Sequence, residues 1–397
     1  MDNFTLEERP ITADFIGQVV EMSDSYDIET LLCFSHLRWN FVFQRPQHLM
    51  TRAAQNWRVF YVEEPIYSDS ISVPQLSVKK MQQPDTLYIV VPELPHHFSD
   101  LDTNQTLQDM LAKLIFDFKI SKYGVWYYTP MALKFTGYLV PEVVIYDCMD
   151  ELSAFKGASP ELVAFEQQLF AQADVVFTGG QSLYEAKRHS HNNIYAFPSS
   201  IDKAHFMQAR EALPEPEDQK RIPTPRLGFY GVVDERFDIE LLRQLAQRRP
   251  DWQFVIIGPV VKISPESLPQ GANIHYLGMK TYDELPVYLS GWDVALLLFA
   301  LNDSTRFISP TKTPEYLAAL KPVVSTAIKD VVSPYEELGL VSIGRNVNEF
   351  EVAIDEALLA EDTAEWKAKV ETFLATNSWD ITWEEMRKAI KQQINVY

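Results

Sequence analysis

The feature that most constrains this chain is a repeated alternation of short apolar runs with segments of helical period. Thr30-Leu-Leu-Cys-Phe-Ser35 and Arg58-Val-Phe-Tyr-Val-Glu63 flank a helical pattern over Pro46–Gln55. Further apolar runs fall at Val125–Tyr128, Val143–Tyr146, Asp174–Thr178 and Ile194–Phe197, with helices expected over roughly 104–119, 130–137, 159–172 and 182–190. Two start signals support these helices: Ser159-Pro160-Glu161, and a capping box Ser182-Leu-Tyr-Glu185 after Gly179-Gly180. Strand, helix and strand in succession mean parallel pairing, with helices covering both faces of the sheet. Residues 70–91 read instead as two extra strands on an edge.

Proline and charge crowd together over Leu213–Pro225, which reads as a boundary, and the alternation then restarts. Strands are expected at Arg226–Gly231, Trp252–Gly258, Asn273–Leu277, Asp293–Phe299 and Pro322–Thr326, with a helix near 238–248 and another opened by the capping box Thr281-Tyr-Asp-Glu284. The fold class is therefore α/β, with two Rossmann-like parallel sheets facing each other across a deep cleft. The expected domains are 1–200 and 201–379, with the last helix, about 380–397, packing back on the first. A chain of 397 residues is too long for one core, and 46% hydrophobic residues can fill two. Loops at the carboxyl ends of such strands are where ligands bind.

Composition narrows the partners. With 35 basic against 55 acidic residues, a net of −20, nucleic acid is excluded and membrane contact is at most peripheral. The two cysteines, Cys33 and Cys148, form no ligand pattern and point to a reducing compartment. The start, MDNFTLEERPITADFIG, is acidic and broken by proline, so no signal peptide is expected. No apolar run nears the roughly 18 residues a bilayer span needs. The expected location is the cytoplasm.

Chemistry concentrates in Ser309-Pro-Thr-Lys312-Thr-Pro-Glu315-Tyr, a loop that opens a helix. Thr311 or Thr313 can cap it, Pro314 is tolerated in a first turn, and the free amides there favour an anion. Lys312 adds a point charge suited to phosphate, and Glu315 can accept from a sugar diol. An ordinary helix start with a solvated lysine would read the same on this segment alone. After the first strand, Arg38, Arg45 and His48 can hold an acceptor or a donor phosphate, or simply begin a solvated helix. Asp147 and Asp150 follow a strand, and either can orient an acceptor hydroxyl, Asp150 being preferred. Gly179 and Gly180 allow close backbone approach to a ligand.

Taken in order, these segments resemble the GT-B glycosyltransferases, and within them the large retaining family that uses nucleotide-diphosphate sugars (glycosyltransferase family 4, or group 1). Pro310–Ala318 with Lys321-Pro-Val-Val324 is similar to its donor-site signature, and Phe197–Asp202 with His205-Phe206 to its interdomain hinge. Tyr276-Leu-Gly278 with Tyr282-Asp-Glu-Leu285 is similar to its base-framing loop, and Leu227–Gly231 to the first strand of its nucleotide domain. Trp39–Leu49, Tyr146–Ser153 and Gly231–Asp238 resemble a bacterial subgroup linked to cell-surface polysaccharides. The likeness covers about residues 30–390.

The resemblance implies that Lys312 and Arg236 clamp the diphosphate and Glu315 binds the ribose. It places Gly231, Met279, Lys280, Thr311 and Thr313 around the donor, with Met279 and Lys280 meeting the base chiefly through their backbone. Asn302, Asp303 or Arg306 is left to contact the donor sugar. Arg236, Lys312 and Asp150 are the expected catalytic residues. No metal and no cofactor is implied, only a UDP- or GDP-linked sugar as co-substrate and a glycan or lipid-linked acceptor. Two positions depart from the pattern: Phe307 stands where the family has a first glutamate, which puts retention of configuration in doubt, and Leu320 where it favours glycine. The expected activity is metal-independent hexosyl transfer. A nucleotide-sugar epimerase or hydrolase on the same scaffold, or a non-catalytic binding subunit, remains the alternative.

Overall fold

The computed structural model describes residues 28–359 and 363–394; the leader read against a signal peptide lies outside them. Nine strands form the first sheet: β1 (Thr30–Ser35), β2 (Arg58–Glu63), β3 (Ile66–Ser68), β4 (Gln75–Lys80), β5 (Leu87–Pro95), β6 (Tyr123–Tyr127), β7 (Val143–Cys148), β8 (Val175–Thr178) and β9 (Ile194–Ala196). Their order is β3-β5-β2-β1-β6-β7-β8-β9, parallel throughout, with β4 pairing antiparallel to β5. The second sheet holds β10 (Arg226–Tyr230), β11 (Gln253–Ile257), β12 (Ile274–Gly278), β13 (Val294–Leu297), β14 (Val323–Ser325) and β15 (Ser342–Ile343) in the order β12-β11-β10-β13-β14-β15. Central strands are buried along their whole length, as β1 and β10 show, because helices cover both faces.

The strand order reverses between β1 and β6, and again between β10 and β13. At such points adjacent loops diverge and open a crevice at the carboxyl end of the sheet. The two crevices face each other, since loops after β1, β7 and β8 and loops after β10 to β13 line one common cleft.

Four expectations need correction. The region 70–91 supplies only one added edge strand, β4; β5 runs parallel to β2 inside the sheet. Ser182 is not a helix cap: the helix Gln181–Lys187 starts at Gly180, and the Ser182 amide donates to Asp330 Oδ1 of the second domain at 2.9 Å. The proline-rich run 213–225, read as a boundary, is packed into the second domain. Gln219 is buried there, donating to the Tyr288 carbonyl and accepting from the Trp292 indole, and Ile222 joins the second core. Neither threonine caps the helix Lys312–Ala318 through its side chain; Thr311 is already helical in backbone, and the Thr313 hydroxyl is buried without a partner.

The chain crosses between domains twice, after β9 and again near residue 377. The crossings lie side by side: Ser200 Oγ donates to Asn377 Oδ1 at 2.6 Å, and the Trp379 amide to the Ile201 carbonyl at 3.2 Å. The last helix, Trp379–Ile394, buries Trp379, Trp383, Met386 and Ile390 in the first domain's core. Each such side chain contributes about 1.5–3 kcal/mol.

Leu320 does adopt a left-handed backbone, with φ 54°. Its amide bonds the Leu317 carbonyl and the Lys321 amide the Tyr316 carbonyl, a paired closure that normally takes glycine. The conformation costs leucine about 1 kcal/mol. Its half-buried side chain packs on the second core and offsets roughly that amount. Leu320→Gly should therefore change unfolding free energy by less than about 1 kcal/mol in urea titrations; a larger loss would make the side chain an anchor.

Candidate active site

The cleft has a volume of about 390 Å³ and is built first from glycines at strand ends. Gly231, just after β10, has φ 137°, and a Cβ there would lie 2.3 Å from Lys312 Cε and 2.7 Å from its Nζ. Gly258, just after β11, has φ 141°, and a Cβ would meet the Gly231 carbonyl oxygen at 1.9 Å. Only residues without side chains let these two loops close and leave room for the lysine.

Lys312 enters from the helix start opposite. Its ammonium lies 5.6 and 5.5 Å from the ring centroids of Phe229 and Phe299, a setting with little water. Burial lowers its pKa, the nearby Arg236 lowers it further, and Glu315 and Asp234 partly oppose them. The amides of Thr311 and Lys312 donate to no protein acceptor among the described residues. A cation and free amides in one place suit an anion. Glu315, one turn on, is buried, and Tyr230 donates its hydroxyl to Oε2 at 2.7 Å. Burial raises the Glu315 pKa, against the pull of Tyr230 and Lys312.

Arg236 is held by Asp234, which accepts from Nε at 3.0 and 3.1 Å and from Nη2 at 2.6 Å. Nη1 is left for a ligand. Across the cleft, Asp150 has its pKa pushed up to about 6 by burial, opposed by Arg236 and Arg45 and aided by Asp147 and Asp234. Its carboxylate has no hydrogen-bond partner among the described residues. Met279 and Lys280 line the far wall, though the Lys280 ammonium turns away to Asp218 at 2.7 Å. Gly231, Arg236, Met279, Lys280, Thr311, Lys312, Glu315, Asp150, Arg45 and Gly179 thus share one cleft.

Of the other candidates, Asp147, Arg38, His48 and Gly180 do not line it, and Arg45 and Gly179, which do, are engaged by protein. Asp147 is fully buried, and both its oxygens accept from Arg45 at 2.8 to 3.2 Å. Arg45 Nη1 donates to the Phe197 carbonyl at 2.7 Å, so the pair ties β7 to the crossing after β9 and offers a ligand little. Arg38 donates to Glu63 at 3.0 Å and to the carbonyls of Glu64 and Pro65, bracing the end of β2. His48 is buried, its pKa lowered by burial and by Arg52 and His205, and stacks on Trp379 with centroids 4.7 Å apart. Gly180 gives close approach to protein, not ligand: a Cβ would sit 2.3 Å from Asp330 Oδ2. Likewise a Cβ on Gly179 would meet the Met149 carbonyl at 2.1 Å.

Asn302 and Arg306 do not line the cleft. Asn302 Oδ1 caps the turn Asp303–Thr305 and its Nδ2 donates to the Glu235 carbonyl, while the exposed Arg306 lies over Phe307. Phe307 itself packs against the first domain's core, which explains an apolar side chain where a glutamate was expected. Residues missed in the sequence were Gly258, Tyr230 and Asp234. Gly258 carried a signal, since it follows an apolar run just as Gly231 does; a tyrosine ending a strand carried none. Among the described residues, no cluster of His, Cys, Asp or Glu could hold a metal ion, and no helix is long and apolar enough to cross a membrane.

No protein-family model matches the chain. It is 22% identical over 286 residues, 66% of this chain and 70% of the relative, to TuaH of Bacillus subtilis, a protein named as a teichuronic acid biosynthesis glycosyltransferase. The sucrose-phosphate synthase of Thermosynechococcus elongatus superposes with a TM-score of 0.68 at 14% identity, over 93% of this chain and 100% of that one. HepE of Anabaena, in complex with UDP and glucose, superposes with a TM-score of 0.61 at 13% identity, over 92% and 100%. Two parallel-sheet domains with facing carboxyl ends, and these superpositions over nearly the whole chain, identify the architecture as the GT-B fold.

Proposed function

We propose that the protein is a glycosyltransferase that moves a hexose from a UDP- or GDP-linked sugar to a glycan or lipid-linked acceptor in cell-surface polysaccharide synthesis. The observation that carries this reading is the convergence of Lys312, Arg236 Nη1 and two free amides on one side of a cleft, with Glu315 beside them. The cations neutralise the leaving nucleoside diphosphate as the glycosidic bond breaks, a task for preorganised charge that calls for no divalent metal. Glu315 accepts from the ribose, with one oxygen already fixed by Tyr230. Asp150, a carboxylate above pH about 6, faces the donor from the other domain and orients the acceptor hydroxyl. Transfer proceeds with retention of configuration, as in the family the donor motif resembles. TuaH and HepE, by name and by bound ligands, fit the same donor class and a cell-surface role. The protein acts in the cytoplasm, where its two buried, unpaired cysteines stay reduced.

The test is a thermal-shift and calorimetry panel of UDP, GDP and their sugars, followed by turnover with and without saccharide acceptors. Binding of one nucleoside diphosphate and acceptor-dependent release of it are expected. Quantitative conversion of donor alone would favour an epimerase or hydrolase, and absence of any nucleotide binding would leave a non-catalytic subunit.

A further inference from the structure

We infer that Phe155 of the first domain is a positioning residue for Arg236, so that the guanidinium reaches its working place on the donor diphosphate only when the two domains are closed. This rests on the nucleotide reading above.

Phe155 follows the short turn Leu152–Ala154 in the loop after β7, the same loop that carries Asp150. That loop crosses to the second domain, where the Lys156 amide donates to Glu235 Oε1 at 3.4 Å. The Arg236 guanidinium carbon lies 5.3 Å from the Phe155 ring centroid, and the Lys262 ammonium 5.2 Å from the same centroid. Lys262 is in turn 3.7 Å from Glu235 Oε1. Two cations of the second domain therefore share one aromatic ring of the first.

The choice of a ring has a chemical consequence. Asp234 fixes Arg236 along one edge but also neutralises it, and a second carboxylate would cancel the charge a diphosphate needs. An aromatic face attracts a cation through its quadrupole and leaves the formal charge intact. It also offers no acceptor to compete for Nη1. Phe155 can thus hold the guanidinium in place without spending its hydrogen bonds. Because the ring and the guanidinium belong to different domains, the arrangement exists only when they are together.

The test compares the wild type with Phe155→Leu and Phe155→Tyr. UDP and GDP are titrated by calorimetry, and uridine and guanosine by ligand-detected NMR. Phe155→Leu should weaken the nucleoside diphosphate by about tenfold, the scale of one desolvated cation–ring contact, and leave the nucleoside unchanged. Phe155→Tyr should stay near the wild type. Unchanged diphosphate affinity in Phe155→Leu, an equal loss for nucleoside and diphosphate, or a Tyr variant as weak as the Leu variant would each overturn the inference while the nucleotide reading stands. A wild type that binds neither diphosphate would remove that reading itself.

Discussion

Lys312→Ala should slow sugar transfer by two to three orders of magnitude with the true donor, the scale of losing one charge-stabilising donor in a water-poor site. The ammonium is flanked by Phe229, Phe299 and the bare backbone of Gly231, so no neighbour can move in to replace it. The same surroundings set a pH dependence. Burial holds the Lys312 pKa below that of an ordinary lysine, so diphosphate affinity should be full below that lowered value and fall as pH rises through it. An ordinary lysine would still be charged there. In Lys312→Ala this decline should disappear. Steady-state turnover and calorimetry across alkaline pH check both outcomes; wild-type rates in the alanine variant would remove Lys312 from the phosphate site.

The second large effect is on stability. Arg45 and Asp147 form an ion pair in which both side chains are almost wholly buried, 3% and 0% exposed. Burial pushes the Asp147 carboxyl up, and Arg45 holds it down. Removing one partner strands the other, at a cost of about 3–5 kcal/mol. Asp147→Leu should therefore lower the melting temperature by roughly 10 °C, given about 2–4 °C per kcal/mol for a domain of this size. The double variant Arg45→Met/Asp147→Leu should recover much of that loss, because no charge is left without its counterpart. Thermal melts of the wild type and the two variants decide it; a single variant within about 1 kcal/mol of wild type would show the pair to be solvated.

The particular residues show how far the sequence carried. Both sheets were legible because parallel strands buried on both faces read as apolar runs, β1 and β13 most plainly. Lys312, Glu315 and Asp150 drew attention because each stands just past a strand or at a helix start, and Arg236 through the family resemblance alone; all four line the cleft. The failures are side chains already taken up by protein partners, some distant and some local. Asp147 stands three residues before Asp150, yet its partner is 102 residues away in the chain, and local pattern cannot foresee that pairing. Asn302 was consumed by its own turn, through Ser304 and Thr305, a use of asparagine that competes with ligand binding. His48 was taken up by an aromatic cluster with Phe43, Tyr282 and Trp379, assembled from three distant segments.

The side-by-side crossings have a further consequence. A lobe tied by one strand can tumble and twist, whereas a lobe hung on two adjacent strands, joined by Ser200 and Asn377, behaves like a door on a pair of pins. A swing about the line joining the two crossings is the motion they oppose least. Opening to admit a guest and shutting on it then follow that swing most readily, and each return along it brings the two walls back into the same register.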